Sequence, residues 1–421
     1  MKATLERAVG RWQIVALALN DVIGSGVYLL PAAAAALLGP DSLWAVALAG
    51  LAVLLVVLCF AEAASHFDEP GSAYLYARTA FGDLVGFQVG WMTWLTRVTS
   101  EASLAAGFAQ ALAFLWPGAN EGWGRALTVA GSIVVLHVVN LVGIRSGART
   151  AVTLAVLKLV PLGIFVVVGV FAFSGERLLG QVATESGSFS AAALLLLYAY
   201  AGFENTAAAA GEYRNPRRDV PFALLTHIGF VTAIYVAVQA VALGTLDQAA
   251  GSKTPLADAA VTFLGSAGGL LLTVGAVVSI FGTNANTVLA GPRYLFALAK
   301  DGYFPAKLAE VHPRYRTPAA ALTVQTLIAL PLALTGSFVH LAVLSVVARL
   351  VTYLGTALAV PVLRRKMPER PGAFRIPGGA TVPIAATLLS LAFAASAKPI
   401  NLIAAGVAIV VGMGIYALRR H

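Results

Sequence analysis

The amino-acid sequence predicts an all-α integral membrane protein of about twelve transmembrane helices, and three observations predict it. Of its 421 residues, 59% are hydrophobic and only 11% are charged, whereas a water-soluble chain carries about 25% charged residues. Apolar stretches of about 20 residues, enough to cross a bilayer, recur along the whole length. The basic residues between them alternate in density from one gap to the next. A surface so poor in charge cannot face water; its solvent is hydrocarbon.

Taken in order, the spans read as 13–38, 42–65, 83–115, 124–143, 150–173, 188–212, 220–244, 268–298, 319–335, 338–361, 381–397 and 399–418. The longest gaps, 175–187, 245–267 and 299–318, suit loops or short surface helices, so residues 1–421 read as one transmembrane domain. The first apolar stretch runs from Trp12 to Leu38 without a small-residue cleavage site and reads as a span, not a removable leader. The single cysteine, Cys59, lies inside an apolar run, which excludes an intrachain disulfide.

Twelve spans put both termini on one side. With the N-terminus in the cytoplasm, 21 Lys and Arg fall on cytoplasmic segments. Among them are Lys2, Arg7 and Arg11, then Arg214, Arg217 and Arg218, then Arg364, Arg365 and Lys366. Only Arg125, Arg177, Lys253 and Lys398 fall outside. That is the positive-inside distribution. It places the chain in the cytoplasmic membrane with both termini inside, and it explains the net charge of +9 without a nucleic-acid partner. Three cations, Arg97, Lys158 and Arg349, remain within the spans.

Two spans carry breaks. The first reads Asn20-Asp21-Val22-Ile23-Gly24-Ser25-Gly26, with Pro31 just beyond; the sixth reads Tyr198-Ala199-Tyr200-Ala201-Gly202-Phe203-Glu204-Asn205. Glycine and proline disfavour continuous helix there, and non-helical backbone at membrane depth is tolerated only where it lines a protein cavity. Breaks at matching places in spans 1–5 and 6–10 point to a binding site between two repeats. The half-helix starting at Gly26 offers N–H donors and a positive dipole end to a carboxylate. Carbonyls around Ala199 and Gly202 suit an ammonium group. Small residues also serve simple helix packing, which is the competing reading of either break alone.

Several motifs together resemble the amino acid–polyamine–organocation (APC) transporter superfamily. They are Gly24-Ser25-Gly26 with Leu30-Pro31, Gly71-Ser72-Ala73-Tyr74-Leu75-Tyr76, Gly202-Phe203-Glu204-Asn205, and the stretch Gly211–Pro221 with Asn215-Pro216-Arg217-Arg218-Asp219-Val220-Pro221. Ala290-Gly291-Pro292-Arg293 and Lys300-Asp301-Gly302-Tyr303-Phe304-Pro305 complete the set. The resemblance implies a five-plus-five inverted repeat (LeuT-like) with discontinuous helices 1 and 6 and alternating access. Repeat one would occupy about 12–174, repeat two about 187–361, and two extra helices about 381–419. It further implies that backbone at Ile23, Gly24, Ser25 and Gly26 binds a substrate carboxylate, and that backbone from Tyr198 and Ala199 to Gly202 binds its amine. Tyr198 would be the gate over the substrate.

The ionisable residues within spans are functional hypotheses. Lys158 matches a family lysine whose ammonium takes the place of a sodium ion, either as a proton carrier or as a fixed cation pinning span five to the broken first span. Both readings imply sodium-independent transport. Glu101 aligns with a substrate-facing position of the arginine/agmatine antiporters; alternatively it forms an internal ion pair with Arg97, one turn earlier, or with Arg349. As a substrate contact it would favour a polyamine or basic amino acid; paired internally it leaves a neutral amino acid. Glu204 matches a glutamate proposed to sense protons in those antiporters. Asn286, near Thr283 and Asn284, aligns with a pocket position that is a large aromatic there.

The sequence carries no phosphate loop, no HExxH and no Gly-x-Ser-x-Gly. His137 and His227 read as helix-packing groups. No cofactor, metal or catalytic constellation is expected. The reading is a permease for amino acids, coupled to protons or working by exchange, with a polyamine carrier and a non-transporting membrane nutrient sensor as rivals.

Overall fold

The computed structural model describes residues 9–68, 71–142, 148–185, 189–207, 210, 213–367 and 373–419. Gly211 of the sixth-span motif, and Lys2, Arg7, Arg145, Arg370 and Arg420, lie outside the described residues. The described chain is helical: α1 (Arg11–Val22), α2 (Gly26–Leu38), α3 (Ser42–Ser65), α4 (Ser72–Phe81), α5 (Asp83–Leu112), α6 (Gly122–Val142), α7 (Ala148–Gly169) and α8 (Gly175–Leu179). It continues through α9 (Phe189–Leu197), α10 (Pro216–Thr245), α11 (Pro255–Lys300), α12 (Ala319–Thr335), α13 (Phe338–Lys366), α14 (Thr381–Ala395) and α15 (Pro399–Arg419). By length and composition seven described stretches suit a membrane crossing, beginning at Gly26, Gly122, Val152, Pro216, Pro255, Phe338 and Pro399. The apolar helices Ala319–Thr335 and Thr381–Ala395 are shorter.

Both expected breaks are present. α1 stops at Val22, Ile23 turns to extended backbone, and α2 begins at Gly26. α9 stops at Leu197 and the chain passes through turns to Gly202, whose φ of +125° is open to glycine but strained for other residues. The structure adds one bend not read from the sequence. α11 is kinked at Gly265 (φ +65°), so a helical segment from Pro255 occupies part of the gap expected at 245–267.

Packing inverts the pattern of a soluble protein. Large apolar side chains such as Leu51, Val134, Val138, Val407 and Val410 are exposed, while Asn20, Arg97, Glu101, Lys158, Glu204 and Arg349 are buried. α5 is the central strut, packed against α4, α6, α11, α12, α13 and α15. α10 backs the first broken helix, contacting α1, α2 and α3. α14 rests on α3 and α13, and α15 on α5 and α13. At the end of the bundle holding the α3 and α13 C-termini, Arg364 pairs with buried Glu62 at 2.5 and 2.7 Å, and Glu62 also accepts the Ile376 N–H at 2.8 Å. Arg11–Asp219 (3.2 Å), Arg217–Asp68 and Arg78–Asp301 (3.1 Å) tie other helix ends there.

Candidate substrate site between the two helix breaks

The two breaks lie main chain against main chain. A Cβ on Gly26 would sit 2.5 Å from Ala199 Cα, and one on Gly202 would sit 2.6 Å from the Asp21 carbonyl oxygen. Only glycine permits either approach. The sequence therefore places its small residues where two unwound backbones meet, and not on ordinary helix faces.

Breaking a helix in hydrocarbon frees carbonyls that must find donors. Here the donors come from three other helices. Lys158 Nζ on α7 donates to Asn20 O (2.8 Å) and Ile23 O (3.1 Å), and to Thr283 Oγ1 (2.8 Å). Ser279 Oγ on α11 donates to Ile23 O at 2.9 Å. The Tyr235 hydroxyl on α10 reaches both breaks, 3.3 Å from Val22 O and 3.1 Å from Ala199 O. Tyr28 OH donates to Lys158 O at 3.2 Å, fixing α7 to α2. The first main-chain bonds of α2 are made by the N–H groups of Tyr28 and Leu29 to Ser25 O. The N–H groups ahead of them, at Ser25, Gly26 and Val27, form the donor end of the half-helix.

A cavity of about 30 Å³ lies at this junction, bordered by Asp21, Gly24, Ser25, Gly26, Tyr198, Gly202 and the two arginines Arg97 and Arg349. It has room for about two water molecules, so the walls must part to admit anything larger. The Tyr198 hydroxyl lies 3.4 Å from Ser25 Oγ, and its ring packs edge-on against Phe338 at 5.8 Å. Phe338 in turn borders a second cavity of about 310 Å³ with Gln110, Asn120 and Arg125. Tyr198 borders the first space and Phe338 the second, and their rings are in contact.

The buried charges pair differently from the sequence expectation. Glu204, not Glu101, is the partner of both arginines: Arg97 Nη2 is 3.1 Å and Arg349 Nε 2.9 Å from Glu204 Oε1. Glu204 Oε2 accepts the Gly202 N–H at 3.0 Å and so holds the break itself. The physical reason is placement. Glu204 sits between guanidiniums from α5 and α13, so one carboxylate meets two cations, which the i, i+4 pair within α5 cannot offer.

Glu101 does not border the cavity. Its Oε2 accepts from Gln325 Nε2 on α12 at 2.8 Å, and no ion pair joins it among the described residues. Asn286 also lies off the cavity and donates to Asp21 Oδ1 at 2.7 Å, orienting the carboxylate just before the break. Tyr235 and Ser279 were not legible as partners of the breaks, nor Gln325 as the partner of Glu101, because one hydroxyl or amide inside an apolar span reads equally as helix packing. No cluster of metal-ligating side chains occurs among the described residues. His137 bonds Thr326 (2.9 Å) and His227 its own helix (3.2 Å).

Among the described residues, a helical bundle with apolar helices long enough to cross a membrane and a small polar cavity between broken helices fits a membrane permease. Residues 9–416 match the amino acid permease family model, and the chain belongs to that family, within the APC superfamily. It is 30% identical to the serine/threonine exchanger SteT of Bacillus subtilis over 97% of this chain and 95% of that one. The methylthioribose transporter and the branched-chain amino acid permease BcaP of the same organism are each 27% identical over 99% of this chain, and over 95% and 94% of their own lengths.

Proposed function

We propose that the chain is a secondary active transporter of amino acids in the cytoplasmic membrane, sodium-independent, working by alternating access as a proton-coupled symporter or an exchanger. One observation carries this reading: the donor end of α2 at Ser25 and Gly26 faces a cavity that the unwound Tyr198–Gly202 stretch also borders. A carboxylate binds at the first and an ammonium at carbonyls of the second, the two ends of a zwitterion. The relatives named for serine and threonine and for branched-chain amino acids support the substrate class. We take the spans as twelve, arranged as a five-plus-five inverted repeat (about 12–174 and 187–361) plus α14 and α15, with both termini cytoplasmic.

Lys158 supports the sodium-independent reading, since its ammonium donates to three oxygens beside the first break. Tyr198 gates the site and Glu204 latches the second break. The polyamine reading loses its support, because it rested on a Glu101 carboxylate at the substrate, and Glu101 faces Gln325 instead. The test is counterflow of radiolabelled amino acids into proteoliposomes in sodium-free buffer, with and without a proton gradient. Saturable exchange unaffected by sodium is expected; accumulation that requires sodium, or none with any amino acid, contradicts the reading.

A further inference from the structure

We propose that the transported amino acid carries a second negative charge, an amino dicarboxylate, and that Arg349 and Arg97 recognise its side-chain carboxylate. This rests on the transporter reading above and narrows its substrate class. Both guanidiniums border the same cavity as Ser25, Gly26 and Tyr198, and both side chains are nearly inaccessible, at 3% for Arg97 and 4% for Arg349.

Their shared ion-pair partner, Glu204, is oversubscribed. Glu204 Oε1 faces both arginines, while its Oε2 is committed to the Gly202 N–H. Two guanidinium donors have no hydrogen-bond acceptor among the described residues, Arg97 Nε and Arg349 Nη1, while Arg349 Nε meets Glu204 Oε1 only as an ion-pair contact at 2.9 Å. The second amine of Arg97 is taken by Glu204 and Asn205, and Arg349 Nη2 by Ser100 at 3.3 Å. Asp21, the other acid at the cavity, accepts from Asn286.

The side chains that border the cavity include two guanidiniums, Arg97 and Arg349, against one carboxylate, Asp21. A dication meets like charge there, whereas the second carboxylate of an amino dicarboxylate meets guanidiniums of opposite sign. Guanidinium groups with free N–H donors are also the side chains best matched to a carboxylate. Its α-carboxylate takes the donor end of α2 and its ammonium the carbonyls near Gly202. The second carboxylate then spans the remaining distance to Arg349.

The test uses the full-length protein in proteoliposomes, with radiolabelled aspartate and glutamate and with unlabelled asparagine, glutamine and serine as competitors. The expected result is uptake of an acidic amino acid, with its uncharged amide competing at least about tenfold less well, the scale of a lost charge-assisted hydrogen bond. Arg349→Gln is expected to invert that preference while its melting profile stays that of a folded protein; should it not fold, the wild-type competition series alone decides. Uptake of serine or asparagine with aspartate inert as a competitor overturns this proposal and leaves the transporter reading standing. No counterflow with any amino acid overturns both.

Discussion

A methyl group at Gly202 has nowhere to go. Its φ of +125° is unfavourable for an L side chain, and the Asp21 carbonyl fills the space. Gly202→Ala should therefore cost about 1–3 kcal/mol in backbone strain, lower the melting temperature in detergent and abolish uptake by forcing the two breaks apart. An unchanged melting temperature with full uptake contradicts this account of the junction. Lys158→Ala removes the donor shared by Asn20 and Ile23. Coupled uptake should be lost, and wild-type proton dependence in that variant removes Lys158 from the mechanism. The glycines were legible because two glycine-bearing breaks fall at matching places in the chain, which helix packing alone does not require. The partners of Glu204 were not: sequence proximity joins Arg97 to Glu101, and only the fold brings Glu204 between two helices.

At the scale of elements, helix existence was legible and helix interruption partly so. Apolar length marks α3, α6, α7, α10, α13 and α15 directly. α5 is less apolar because Thr93, Thr96, Arg97, Thr99, Ser100, Glu101 and Ser103, all buried, fall within its central stretch. Such a helix can be read as a span only with its neighbours. The kink at Gly265 was not legible, since Gly265-Ser266-Ala267-Gly268-Gly269 reads as the end of a loop before the span, not as a bend within one helix. The tie between α3 and α13 yields its own prediction. Glu62 is 1% exposed and accepts twice from Arg364, so Arg364→Ala strands a buried carboxylate. The cost should be about 3–5 kcal/mol, read as a marked drop in detergent melting temperature. Glu62→Gln with Arg364→Gln together should recover part of that loss, since neither charge is then left alone. A single variant as stable as the wild type contradicts the tie.

The described residues form a bundle whose ionisable groups at the helix breaks are buried and whose exposed surface carries large apolar side chains, as the charge deficit leads one to expect. The orientation rests on the distribution of Lys and Arg. It predicts that, in a Cys59→Ala background, cysteine placed at Glu121 is labelled in intact cells by a membrane-impermeant maleimide, and cysteine at Lys307 only after permeabilisation. The reverse pattern inverts the topology. The central claim is that main-chain groups at two apposed helix breaks hold the two ends of a zwitterion. Competition against counterflow by three forms of the best substrate tests it most directly: the free amino acid, its α-methyl ester and its N-acetyl derivative. Losing a charge-assisted hydrogen-bond set at either end should weaken competition by about 100-fold, so only the free amino acid should compete. An ester or acetyl form competing as well as the parent contradicts the account.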